Sequence, residues 1–257
     1  MIGSPSNGGR RQRIGAAFGA AEGYDHAARV QARVAGRLAA RIAALPLPAA
    51  PRVLEIGCGT GFLTEALIAR GVGGEWLVSD LVPAMVARAR ARVGDGPGRQ
   101  FAVLDGKHGP RPDDAPFDLI CSSLAFQWFD DPGRAAARLM DWLAPGGWLV
   151  FTTLAEGTFA EWRAANGAVG AQAGTPPFPS LAALRALFPE AEVSGEIEVE
   201  QHVDAAEFLR GVKAIGAGTP AAGHRPLSPR SLTAAMRAFE AAGARASYEV
   251  ATVMARK

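Results

Sequence analysis

Between residues 25 and 45 the apolar side chains Val30, Val34, Leu38, Ile42 and Leu45 recur every three to four positions, the spacing of one helix face. The pattern predicts an amphipathic helix, and Arg29, Arg33, Arg37 and Arg41 run beside its apolar stripe. From residue 52 short apolar runs alternate with helical periods. "RVLEI", "EWLVSD", "QFAVLD", "FDLICSS" and "GGWLVFTTL" predict five strands, and "GFLTEALIAR", "PAMVARARARV" and "PGRAAARLMDWL" predict the helices among them. Short apolar strands separated by helices imply a mostly parallel sheet covered on both faces.

The order changes after residue 155. Helical stretches "FAEWRAANGAVGAQ" and "SLAALRALF" are split by "TPPFP", and a strand is expected within "EVSGEIEVEQHV". Helices "DAAEFLRGVKAI" and "SPRSLTAAMRAFEAA" follow, then an alternating "SYEVATVMA" expected to join the sheet. The fold class is α/β, a mostly parallel, seven-stranded doubly wound sheet of Rossmann-like type with an α-helical lid. Residues 1–12 read as a disordered tail, 13–155 as a helical cap with the ligand-binding core, 156–215 as the lid, and 216–257 as a helix and strand completing the sheet. Open α/β sheets bind ligands at the carboxyl ends of their strands, so the N-terminal helix and the lid are expected over that edge.

Composition narrows the compartment and the partners. A chain of 257 residues that is 49% hydrophobic can bury a large core. Its two cysteines form no disulfide framework, and no apolar run approaches the roughly 18 residues needed to span a bilayer. A soluble, cytoplasmic protein without membrane attachment is expected. A net charge of +2 and the lack of an aromatic-studded basic run argue against nucleic acid. His26, His108, His202 and His224 show no metal-ligand spacing, and no G-x-S-x-G nucleophile turn occurs. The arginine stripe is open to two readings, a solvated face or a docking surface for an acidic partner.

The candidate chemistry begins at "RVLEIGCGTGFL", residues 52–63, where Gly57, Gly59 and Gly61 follow a strand directly. Such a turn lets the backbone approach a ligand. A P-loop would need a lysine and a hydroxyl after its last glycine, and Phe62 and Leu63 stand there instead. The dinucleotide fingerprint needs a glycine at position 62, which Phe62 occupies. Glu55, two residues before the first glycine, would repel a pyrophosphate and could attract a cation. Asp80 at the end of strand two is placed either to hold a ribose diol or to cap the next helix. Strand three ends in Asp105 and Gly106, where a carboxylate can accept from an exocyclic amine, and strand four ends in Ser122 and Ser123. A nucleoside without phosphate, carrying a positive centre, meets these demands together.

The pieces "VLEIGCGTG", "SD" followed by "PAM", "LDG", "FDLICSSLAFQW" and "LAPGGWLVFTT" resemble the class I S-adenosylmethionine-dependent methyltransferases. Within that superfamily "RIGAAFGAAEGYDHAARVQ", "SSLAFQWFDDP", "FTTLAEGTFAEWRAA" and "FLRGVKAIGAG" are similar to the malonyl-acyl-carrier-protein methyltransferases of biotin synthesis. The resemblance implies S-adenosylmethionine as cofactor, with its methionine end at Gly57, Gly59 and Gly61 and Glu55 as a supporting acid. It implies Asp80 on the ribose, Asp105 on the adenine, and Leu81 and Met85 on either side of the ring. Cys58, inside the loop, reads as packing and not as a nucleophile. Tyr24 is either an ordinary helix tyrosine or a hydroxyl near the reactive methyl. Lys213, with Arg210 as its rival, is the candidate cation for the malonyl carboxylate, and Gln127 and Trp128 would line the acyl pocket.

The implied acceptor is malonyl-acyl-carrier protein or malonyl-CoA. Acyl carrier proteins are acidic, so the arginine stripe, with Arg10, Arg11 and Arg13, would be their docking rim. Two rival readings keep the fold. One is a methyltransferase for another small carboxylate or hydroxyl; the other is an assembly factor of respiratory complexes, a class that shares "SSLAFQW".

Overall fold

Strand β1 (Arg52–Ile56) is buried along nearly its whole length, which is why it reads as a continuous apolar run and not as an alternation. The protein is described by a computed structural model covering residues 28–214 and 224–257. Its helices are α1 (Arg29–Ala43), α2 (Phe62–Ile68), α3 (Pro83–Val93), α4 (Pro132–Asp141), α5 (Ala160–Ala168), α6 (Leu181–Leu187), α7 (Ala205–Ala214) and α8 (Pro229–Ala241). The strands after β1 are β2 (Glu75–Asp80), β3 (Arg99–Val103), β4 (Phe117–Ser122), β5 (Leu143–Leu154), β6 (Glu192–Gln201) and β7 (Arg245–Arg256). They form one sheet in the order β3-β2-β1-β4-β5-β7-β6. β1 pairs in parallel with β2 and β4, β3 with β2 and β5 with β4, whereas β7 runs antiparallel to β5. The strand order reverses between β1 and β4, and at such a switch point the connections diverge and leave a crevice at the strands' carboxyl ends.

The chain divides into two compact units. Residues 29–156, 179–196 and 249–257 form the larger, which holds most of the sheet. Alternate residues of β1 serve opposite faces of it. Val53 packs with Leu38, Ile42, Leu67 and Ala89 of α1, α2 and α3, while Leu54 and Ile56 pack with Ala136 and Leu139 of α4. Removing one such buried leucine to alanine costs about 2–5 kcal/mol.

The smaller unit comprises, among the described residues, 157–178, 197–214 and 224–248. Its core is aromatic. Phe208 of α7 lies 5.0 Å from Phe239 of α8 and 5.3 Å from Phe159, and Trp162 of α5 lies 5.7 Å from Phe239. Glu161 fastens this unit by accepting from the Ser247 N–H at 2.9 Å and the Ser247 hydroxyl at 2.5 Å.

Two parts of the expected cap change. Helix α1 has the predicted apolar face, with Val30, Val34, Leu38 and Ile42 buried, but that face packs in the layer flanking the sheet and not over the ligand edge. Residues 192–201, expected within a lid, form β6 at the sheet's edge. Among the described residues its ladder engages only one neighbour, which a polar, glutamate-rich strand tolerates. The arginine stripe is drawn into the same arrangement. Arg37 meets Glu196 at 2.8 Å, and Arg41 bonds Glu192 at 2.5 Å and the Ser194 hydroxyl at 2.6 Å. Arg37 and Arg41 are thus ion-paired and still partly exposed to solvent. Tyr24, Arg10, Arg11, Arg13 and the 1–12 tail lie outside the described residues.

Candidate active site

The loop after β1 holds Gly57, Gly59 and Gly61 at φ of +70°, +54° and +90°, a region that side chains with a Cβ rarely adopt. Each glycine answers a different constraint. A Cβ on Gly57 would stand 2.5 Å from the Ala125 methyl, and one on Gly61 would stand 3.1 Å from the Ala89 backbone. Gly59 has no atom within 4 Å of that position, so this turn of the loop faces open space.

Asp80 ends β2 beside that space. One carboxylate oxygen accepts the Gly59 N–H at 3.0 Å, and the other accepts the Val82 N–H at 2.8 Å. Val82 is the N-cap of α3, which has no side-chain cap, so Asp80 braces the glycine loop and does not cap the helix. Burial raises its pKa, against the hydrogen bonds from Val82, Gly59 and Leu81. A carboxylate offers about four lone-pair sites, so capacity remains for a diol. Leu81 is 45% exposed next to it, whereas Met85 is 1% exposed and sits in the core.

On the next strand, Asp105 uses one oxygen to accept the N–H groups of Lys107 at 3.0 Å and His108 at 3.2 Å, which closes the turn after β3. Gly106 admits no side chain, since its Cβ would lie 2.6 Å from Ile56 Cγ2. Lys107 reaches across to an ion pair with Asp130, joining the turn after β3 to the segment after β4.

That segment is held by contacts distant in sequence. Leu124 takes a left-handed φ of +50°, and its N–H donates to the Thr152 hydroxyl on β5 at 2.9 Å. Phe126 stacks on Phe151 with ring centroids 3.7 Å apart. Gln127 donates its amide to the Leu124 carbonyl at 2.5 Å and keeps its Oε1 buried without a partner among the described residues. The Ser122 hydroxyl, at the end of β4, is likewise buried and unpartnered. Unpaired buried polar atoms cost about 1–3 kcal/mol each and mark places where a ligand can complete the bonding. Trp128 closes the short turn Phe126–Trp128 and is half-buried.

Glu55 departs from its expected role. It is 1% exposed beneath the loop, where the Thr64 hydroxyl donates to it at 2.5 Å. Burial pushes its pKa up to about 8, with the Thr64 bond opposing and the Asp80 charge reinforcing the rise. At neutral pH its carboxyl is mostly protonated, so it braces α2 and does not attract a cation by charge. Cys58 is 6% exposed, and burial pushes its thiol pKa well up, in keeping with packing.

The structure thus brings Gly57, Gly59, Gly61, Asp80, Asp105, Gly106, Ser122, Gln127 and Trp128 to strand ends of the larger unit. Arg210 and Lys213 stand exposed on α7 of the smaller unit, Arg210 being 4.0 Å from Asp204. Thr152, Thr64 and Lys107 were not foreseen, because their partners lie 28, 9 and 23 residues away in the chain. Among the described residues no cluster of three metal-ligating side chains occurs, and no helix is long and apolar enough to cross a membrane.

The family model for the methyltransferase domain matches residues 24–193. The biotin biosynthesis bifunctional protein BioCD of Bordetella avium is 46% identical over 90% of this chain, which spans 49% of that protein's length. Malonyl-[acyl-carrier protein] O-methyltransferase of Magnetococcus marinus is 40% identical, with 86% of this chain and 83% of the relative covered. That of Geobacter sulfurreducens is 36% identical over 89% and 90%. Among solved structures the YcgJ protein of Bacillus subtilis superposes with a TM-score of 0.58 at 17% identity, covering 86% of this chain and 97% of its own, which speaks for the fold alone. The chain belongs to the methyltransferase family and, within it, to the malonyl-[acyl-carrier protein] O-methyltransferases. It is an S-adenosylmethionine-dependent enzyme. The open side of Gly59, the Asp80 carboxylate and the unpartnered Ser122 hydroxyl fit that cofactor.

Proposed function

We propose that the enzyme methylates the free carboxylate of a malonyl thioester borne on acyl carrier protein, giving the methyl ester used in biotin synthesis. The observation that carries this reading is the 40% identity, over most of both chains, to the Magnetococcus marinus enzyme of that name. The bound cofactor supplies an electrophilic methyl group on a sulfonium. The glycine loop holds its methionine end, Asp80 its ribose, Asp105 and Gly106 its adenine, and Leu81 covers the ring. A malonyl carboxylate is already ionised at neutral pH, so no general base is needed. Catalysis then rests on alignment, which in well-oriented systems supplies about 7–11 kcal/mol. Ser122 completes its bonding to the cofactor, and Gln127 and Trp128 line the acyl end. The protein works in the cytoplasm.

Substrate discrimination tests the reading. With malonyl- and acetyl-thioesters side by side, S-adenosylhomocysteine release is expected from the malonyl compound and at background level from the acetyl compound, which lacks the nucleophilic oxygen. Equal release from both, or release only with an unrelated acid, would overturn the acceptor.

A further inference from the structure

No aspartate or glutamate occurs between Glu207 and Glu240, a stretch that carries Arg210, Lys213, Arg225, Arg230 and Arg237. All five are exposed. Arg210 lies 4.0 Å from Asp204, and the other four are not ion-paired among the described residues. This contrasts with α1, whose Arg37 and Arg41 are occupied by Glu196 and Glu192.

The helical spacing explains the exposure. Arg230 and Arg237 are seven apart on α8, almost two full turns, so they share one face. The buried side chains of that helix, Ala235 and Phe239, lie on the other side. On α7, Arg210 and Lys213 are three apart and point away from buried Ala205 and Phe208. Phe208 and Phe239 pack against each other at 5.0 Å, which turns both cationic faces outward. Asp204 stands beside Arg210, but the other four cations are not ion-paired among the described residues, and like charges so gathered repel each other. They generate a field that attracts an acidic body from a distance.

We propose that the outward faces of α7 and α8, with Arg225 in the segment leading into α8, dock the acidic carrier protein, and that the α1 arginine stripe does not. This rests on the malonyl-carrier reading for the partner's identity, while the surface itself is tested by binding. Such a surface acts mainly on association and is screened by salt.

The experiment titrates acyl carrier protein lacking the malonyl group against the wild-type chain, the double reversal R230E/R237E, and the control R70E, which makes the same kind of charge change at the end of α2. Fluorescence anisotropy reads binding at low and at high salt, and thermal melts confirm that the variants fold. The double reversal is expected to weaken binding by about tenfold or more at low salt, with the difference collapsing at high salt and R70E unchanged. Turnover of malonyl-CoA should stay within about twofold of wild type, since the reversed residues touch no acceptor atom. Unchanged carrier binding in R230E/R237E, or equal weakening in R70E, would overturn the surface. Failure of the wild-type chain to methylate either malonyl donor, with the binding difference intact, would overturn the acceptor reading and leave the surface standing.

Discussion

Asp80→Ala is expected to weaken S-adenosylmethionine binding by well over tenfold. The substitution removes the charge-assisted bonds to the ribose diol, each worth about 1.5–3 kcal/mol, where 1.4 kcal/mol is a factor of ten. It also strips the acceptor from the Gly59 N–H at 3.0 Å and the Val82 N–H at 2.8 Å, so the loop loses the brace that shapes the cofactor cradle. Asp80→Asn keeps one oxygen and should fall between the two. Calorimetric titration of folded variants measures this directly. Unchanged affinity in the alanine variant would remove Asp80 from the ribose, and tighter binding of NAD than of S-adenosylmethionine would contradict the site as a whole.

Glu55 should make the free protein lose stability as pH rises through neutrality. Its pKa stands at about 8 in the folded chain against 4.5 for an ordinary glutamate, first because burial penalises the charge. The folded state therefore holds the proton more tightly than the unfolded state. The stabilising contribution is complete below about pH 4.5 and is lost as pH climbs through about 8. One pKa unit is worth about 1.4 kcal/mol, so the loss is bounded at roughly 5 kcal/mol, a large share of a domain's usual 5–15. Glu55→Gln keeps an oxygen for the Thr64 hydroxyl and cannot ionise. Urea midpoints from pH 5 to pH 9 should fall more steeply for wild type than for the glutamine variant, which becomes the more stable protein at the alkaline end. Parallel profiles for the two would contradict a buried, protonated Glu55.

Much of this architecture was legible because it depends on local periodicity. The spacing of Val30, Val34, Leu38 and Ile42 marked the buried face of α1, and the apolar run of β1 marked a central strand. The glycine loop and Asp80 were legible because strand ends and turn residues announce themselves within a few positions. Where α1 packs was not, since an amphipathic face does not name its partner. The same holds for the arginine stripe. Charges every fourth residue look alike whether they meet water, a carrier or, as with Arg37 and Arg41, glutamates more than a hundred residues away.

Glu55 illustrates a different gap. Its place two residues before Gly57 suggested a charge available to the ligand, but β1 is covered on both faces, so an acid at that register is enclosed by α2 and held by Thr64. The strand's own reading as fully buried contained that consequence. The segment from Ser122 to Trp128 was visible as a motif, yet its shape comes from Thr152 and Phe151 on β5, contacts that only the fold supplies.

The most direct measurement is the mass of the acceptor after reaction. Malonyl-acyl-carrier protein incubated with the enzyme and S-adenosylmethionine should gain the mass of one methylene, located on the malonyl group by fragmentation and removed by an esterase. Acetyl-carrier protein under the same conditions should gain nothing. No gain on the malonyl carrier by a folded, cofactor-binding enzyme, or a gain that resists the esterase, would contradict carboxyl methylation.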